Sequence, residues 1–100
     1  MLTGEIILNM LEEHMSEIKK FGVKNIGVFG SYSQEKQTSG SDVDILVEFN
    51  KGQKTFDHYM ELKFFLEALF GREVDLVIAE TIKPELKQVI MGSVKYAKGA

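Results

Sequence analysis

The sequence contains no cysteine. Disulfides, thiolate chemistry and sulfur-ligated zinc are therefore excluded. It also lacks a basic excess, since 12 Lys and Arg face 15 Asp and Glu for a formal net charge of −3. General binding to nucleic acid or to an anionic membrane depends on clustered Lys and Arg that replace counterions, and the acidic balance argues against both. No apolar run approaches the ~20 residues that a membrane-spanning helix needs. The N-terminal stretch MLTGEIILNMLEEHM has no basic leading segment, and acidic residues interrupt its apolar pattern, so it does not read as an export signal. A cytoplasmic protein with no membrane partner is expected. No internal repeat, low-complexity tract or linker divides the chain.

What is present suits one compact α/β unit. The 100 residues are expected to form a single domain over 1–100. A chain of this size buries about 60–70% of the surface its unfolded form exposes, enough for a core but not for a deep enclosed chamber. A large substrate must then be gripped partly by another molecule, and a homodimer or hetero-oligomer is expected.

Apolar residues at three- and four-residue spacing, Ile6, Ile7, Met10, Leu11, Met15 and Ile18, predict an amphipathic helix over 5–20, capped by Thr3 and ended by Gly22. Residues 23–29 are short, apolar and β-branched, and read as a buried strand that runs into Gly30 and Ser31. Residues 32–41 contain no aliphatic side chain and hold at most a short helix. A second strand follows over 42–49, with Val43, Ile45, Val47 and Phe49 on one side and Asp42, Asp44, Leu46 and Glu48 on the other. Helical spacing returns over 56–70 and stops at Gly71, a third strand is predicted over 73–78, and a last helix over 84–91 begins at the only proline. Leu86, Val89 and Ile90 are expected to share one face, and an exposed apolar face there would fit oligomerisation or partner docking. The expected fold class is α/β (α+β): a small mixed sheet flanked by helices.

Chemistry concentrates between Gly30 and Asp44. Gly30 lets a ligand approach the backbone, and Ser31 offers an N–H and a hydroxyl. A helix beginning at Ser31 would aim free N–H groups at a bound phosphate. Asp42 and Asp44, two apart at a strand start, project from the same sheet face with Cα atoms roughly 7 Å apart. Hard oxygen ligands open to a phosphate-bearing substrate suit Mg²⁺. Asp75 lies between Val74 and Leu76 in a strand expected to be mostly buried, where an unpaired carboxylate is costly. A metal shared with Asp42 and Asp44 would compensate it, and three carboxylates around two Mg²⁺ ions suit nucleotidyl displacement.

The stretch from Val28-Phe29-Gly30-Ser31 through Ser41-Asp42-Val43-Asp44 resembles the signature of the minimal nucleotidyltransferase (MNT) family of the DNA polymerase beta superfamily. Leu62-Lys63 and Gly71-Arg72-Glu73-Val74-Asp75 extend the resemblance along nearly the whole chain. It implies a polymerase beta palm-like fold, with ATP as nucleotide donor and its β- and γ-phosphates against Gly30 and Ser31. It further implies two Mg²⁺ ions on Asp42 and Asp44, and Asp75 as the third carboxylate, favouring deprotonation of the attacking hydroxyl. Family members often carry Arg-Gly where this sequence has Gln34-Glu35, which removes a positive charge from the triphosphate's surroundings and implies weaker nucleotide binding. Lys36 is a possible substitute for that charge.

The resemblance also implies a partner. Such proteins are commonly paired with a HEPN-domain toxin and act as its antitoxin by attaching AMP to a tyrosine. Two other readings stand beside it: a binding module that inhibits the HEPN partner by contact alone, and a nucleotidyltransferase acting on a small molecule. His14 and His58 are isolated and form no metal motif. Phe56, Tyr59, Phe64, Phe65 and Phe70 read as core or interface, and Lys63 and Arg72 as solvated charge.

Overall fold

The computed structural model describes residues 1–99. Thr3 caps the first helix as expected, its Oγ1 accepting from the Ile6 N–H at 3.1 Å. The predicted single helix is two, α1 (Gly4–Glu13) and α2 (Met15–Lys19). His14 makes the break, with φ −107° and ψ 17°, and its Nδ1 lies 2.9 Å from the Met10 carbonyl oxygen. Periodicity hides this break because Ile7, Leu11, Met15 and Ile18 are buried on both sides of it.

Four strands form one mixed sheet in the order β3-β2-β1-β4. β1 (Val23–Phe29) pairs antiparallel with β2 (Val43–Phe49) and with β4 (Lys95–Tyr96), whereas β3 (Val74–Ile78) pairs parallel with β2. β4 was not anticipated, because two residues offer no alternating pattern to read. α3 (Phe56–Phe70) supplies the crossover that a parallel pair requires, capped by Thr55 and ended by a left-handed Gly71.

The period of two divides β2 and β3, and it divides β1 beyond the register shift between Val23 and Asn25, which lets Val23 join the same core. Ile26, Val28, Val43, Ile45, Val47, Val74 and Leu76 face the core with α1, α2 and α3. Phe29 and Leu46 are also buried but lie outside that cluster, on the opposite face. α4 (Pro84–Ser93) follows a 3₁₀ turn (Ala79–Thr81) and packs against β1. Its apolar face is largely exposed: Leu86 is 51% and Val89 68% exposed, and Ile90 is half-buried. Among the described residues, no helix is long and apolar enough to cross a membrane.

The short helix expected after Ser31 is absent. Residues 30–35 form turns closed by Gln34 N–H to Gly30 O at 3.2 Å and Lys36 N–H to Ser31 O at 2.8 Å. Glu35 stops propagation by adopting φ +58°, the left-handed region that disfavours a side chain. This is the position at which the MNT pattern often has glycine. Relief of the left-handed strain outweighs glycine's greater unfolded-state entropy. Glu35→Gly should therefore stabilise the fold by about 0.5–1 kcal/mol, raising Tm by a few degrees in a thermal melt. An unchanged or lower Tm would show that the Glu35 side chain offsets its own backbone strain.

Candidate active site

One rung of the sheet gathers the residues singled out by sequence. The register pairs Phe29 with Asp44 across β1 and β2, and Asp44 with Asp75 across β2 and β3. Neighbouring strands lie about 4.8 Å apart, so Gly30, Asp44 and Asp75 stand nearly abreast on the face away from the main core. Gly30 adopts φ +72°, and a Cβ there would collide with the Asp44 carboxylate. Glycine is thus required by its backbone and by its neighbour together.

Local hydrogen bonds hold the rung. The Val43 N–H donates to Glu73 O at 3.0 Å, clamping the start of β2 to the start of β3. Glu67, reaching from α3, accepts from the Val74 N–H at 3.0 Å. Before Asp42 the chain turns on itself, with Thr38 N–H donating to Ser41 Oγ at 2.8 Å and Ser41 N–H to Thr38 O at 3.1 Å. Ser33, buried in the turn after β1, donates its hydroxyl to Gly30 O at 3.0 Å. Ser31 is half-buried beside Gly30. With only a turn behind it, any anion held here meets individual N–H groups rather than a summed helix dipole.

The carboxylate that bears the desolvation cost is Asp44, not Asp75. Asp75 is exposed, because β3 is an edge strand and only its alternate residues Val74 and Leu76 face the core. Asp44 is half-buried, and its pKa is pushed up to about 6 by burial first, then by the charges of Asp75 and Asp42. A cleft of about 260 Å³ is lined by Asp42, Asp75, Glu67, Glu73, Lys63 and Val74, thus by two of the three carboxylates but not by Asp44. Lys63 therefore borders the site rather than open solvent alone.

Among the described residues, no group of three metal-ligating side chains forms a ready cage. The donor chemistry nonetheless fits a hard divalent cation. The donors are all oxygens, and their mutual repulsion at Asp44 is the cost that a cation would cancel. His14 and His58 lie outside this set, each spending Nδ1 on a backbone carbonyl, those of Met10 at 2.9 Å and Gln53 at 2.8 Å. Phe70 is buried as expected, whereas Phe56 and Phe64 are 76% and 59% exposed. Gln34 and Lys36 are exposed, as is Glu35.

A mixed sheet presenting Gly-Ser beside paired aspartates defines a nucleotidyl-transfer platform. Residues 8–97 match the family model described as nucleotidyltransferase domain, and the chain belongs to that family as a nucleotidyltransferase enzyme. It is 41% identical over 97 residues to the protein adenylyltransferase MntA of Thermococcus cleftensis, covering 96% of this chain and 97% of that one. In structure it resembles a candidate minimal nucleotidyltransferase with a TM-score of 0.80 and 29% identity, covering 94% of this chain and 95% of the other. It also resembles a chain of a toxin–antitoxin structure with AMP-PNP, with a TM-score of 0.70 and 27% identity, covering 89% and 73% of the two chains.

The Asp44 shift has a signed consequence for stability. Between about pH 4 and 6 the folded state keeps a proton that the unfolded state releases, so this residue's contribution to stability is full below the ordinary carboxylate pKa of 3.8 and lost as pH rises through about 6. Asp44→Asn removes the charge. In metal-free buffer at pH 7.5 the variant should melt above wild type by a few degrees, on the order of 1 kcal/mol after solvent screening, with the gap closing at pH 3.5. A gap that persists at pH 3.5, or is absent at pH 7.5, would contradict the assigned cause.

Proposed function

We propose that this chain transfers AMP from ATP to a hydroxyl, a tyrosine of a HEPN-domain partner, and thereby acts as the antitoxin of a toxin–antitoxin pair. The observation that carries the chemistry is the rung that sets Gly30 and Asp75 on either side of Asp44. The similarity to MntA supports protein as acceptor and AMP as the transferred group. The toxin–antitoxin structure with AMP-PNP supports an adenine nucleotide and a toxin partner.

In this reading Gly30 and Ser31 hold the β- and γ-phosphates through backbone N–H groups and the Ser31 hydroxyl. Asp42, Asp44 and Asp75 would hold two Mg²⁺ ions, which supply charge neutralisation at the phosphates and a lower pKa for the acceptor hydroxyl. The order of the strands supports an assignment of sides. The triphosphate lies toward β1, where Gly30 is, and the acceptor lies toward β3. Asp75 takes the acceptor's proton as its oxygen forms the new bond to the α-phosphorus, and the bond to pyrophosphate breaks. The open cleft leaves acceptor recognition to the partner's own surface, consistent with a minimal single-domain enzyme.

Co-expression with a HEPN-domain protein tests the reading by intact mass. The partner should gain whole AMP units and lose its toxicity, and an Asp42→Asn, Asp44→Asn double variant should lower the transfer rate by about 100-fold or more. Full silencing of the partner by that double variant, with no added mass, would replace the enzyme reading with inhibition by contact.

A further inference from the structure

The last helix reaches the same rung from the far side of the sheet. α4 has no fully buried residue, yet its final residue, Ser93, is half-buried beside Gly30. The Gly30 N–H points at Ser93 Oγ across 3.5 Å, the outer limit of a hydrogen bond. The same hydroxyl lies 3.2 Å from the Ile90 carbonyl oxygen and donates its proton there. The Gly30 donor is therefore only weakly used, and the group beside it is a rotor that can turn its one proton elsewhere.

Part of the turn after Gly30 is already spent, which leaves the N–H groups of Ser31, Tyr32 and Ser33 and the Ser31 hydroxyl beside Gly30. The Gln34 and Lys36 N–H groups already close that turn onto Gly30 O and Ser31 O. The Ser33 hydroxyl is committed to Gly30 O as well. Gln34 and Glu35 bring no positive charge. An anionic oxygen seated on the Gly30 N–H at an ordinary length of about 2.9 Å would lie within reach of the Ser93 hydroxyl, the side-chain donor brought to that amide from outside the turn.

We infer that Ser93 is a phosphate-binding residue. On arrival of a nucleoside triphosphate its hydroxyl turns from the Ile90 carbonyl and donates to the phosphate oxygen held at Gly30. The inference rests on the nucleotidyl-transfer reading and extends the site to α4, whose attachment to the sheet then depends on the nucleotide. The exchange is favourable because a neutral hydrogen bond is replaced by one to a charged acceptor. α4 is the element able to respond, since Leu86, Val89 and Met91 are exposed at 51%, 68% and 40% and little apolar packing holds it.

Inorganic triphosphate with Mg²⁺ is the probe, titrated into the full chain while amide signals and hydrogen exchange are followed. Ser93→Ala should weaken binding about tenfold, whereas Ser93→Thr, which keeps the hydroxyl, should bind as wild type does. Triphosphate should slow amide exchange across α4 in wild type and leave it unchanged in Ser93→Ala. A Ser93 that merely ends the helix predicts a lower Tm for Ser93→Ala with affinity and α4 exchange intact, and that result overturns the inference alone. Wild type that fails to bind triphosphate overturns the inference together with the reading beneath it.

Discussion

The parallel pairing of β2 with β3 sets Asp44 directly beside Asp75, so the fold carries two like charges within one strand spacing, with Asp42 close by. Such an arrangement opposes folding, and the opposite face of the same strands supplies the compensation. Val43, Ile45, Val47, Val74 and Leu76 are buried, each contributing roughly 1.5–3 kcal/mol of transfer free energy. A slip of one residue would turn these side chains to solvent and the carboxylates into the core. Register is therefore strongly specified, and the hydrophobic side holds the charged rung in place together with the hydrogen bonds at the starts of β2 and β3.

Repulsion at Asp44 has functional meaning because the strain is local and reversible. Burial and two neighbouring carboxylates make it the group that gains most from a cation or from replacement by a neutral side chain. The turn beside it follows a different logic. Glu35 occupies a left-handed position without a glycine, and the Gln34 and Lys36 N–H groups are spent on closing it. Under the proposed function, nucleotide contacts would fall on Gly30, Ser31 and what α4 brings to them.

Patterning made much of this architecture readable before any coordinates. α3 runs over the predicted residues because its apolar spacing begins at Phe56 and Gly71 is an unambiguous stop, and the alternation in β2 placed Asp44 on the face that the structure shows. Other features had no sequence signal. The His14 break preserves the apolar stripe, so periodicity passes through it. Glu35 ends the turn through a backbone angle that no side-chain pattern reports. The flanks of Asp75 predicted burial, but an edge strand covers only one of its faces. Ser93 and β4 depend on where α4 carries the chain after β3, a tertiary outcome that a lone serine and a two-residue strand cannot announce. The Gly-Ser and Asp-x-Asp pairs were legible because their spacing carries chemistry that composition does not.

Calorimetric titration of the full chain with a non-hydrolysable ATP analogue and Mg²⁺, comparing wild type with Asp44→Asn, tests the account at its centre. The account predicts saturable, Mg²⁺-dependent binding by wild type that is lost in the variant while its fold is retained. Equal binding by both proteins, or binding indifferent to Mg²⁺, would show that the carboxylate rung is not where the nucleotide is held.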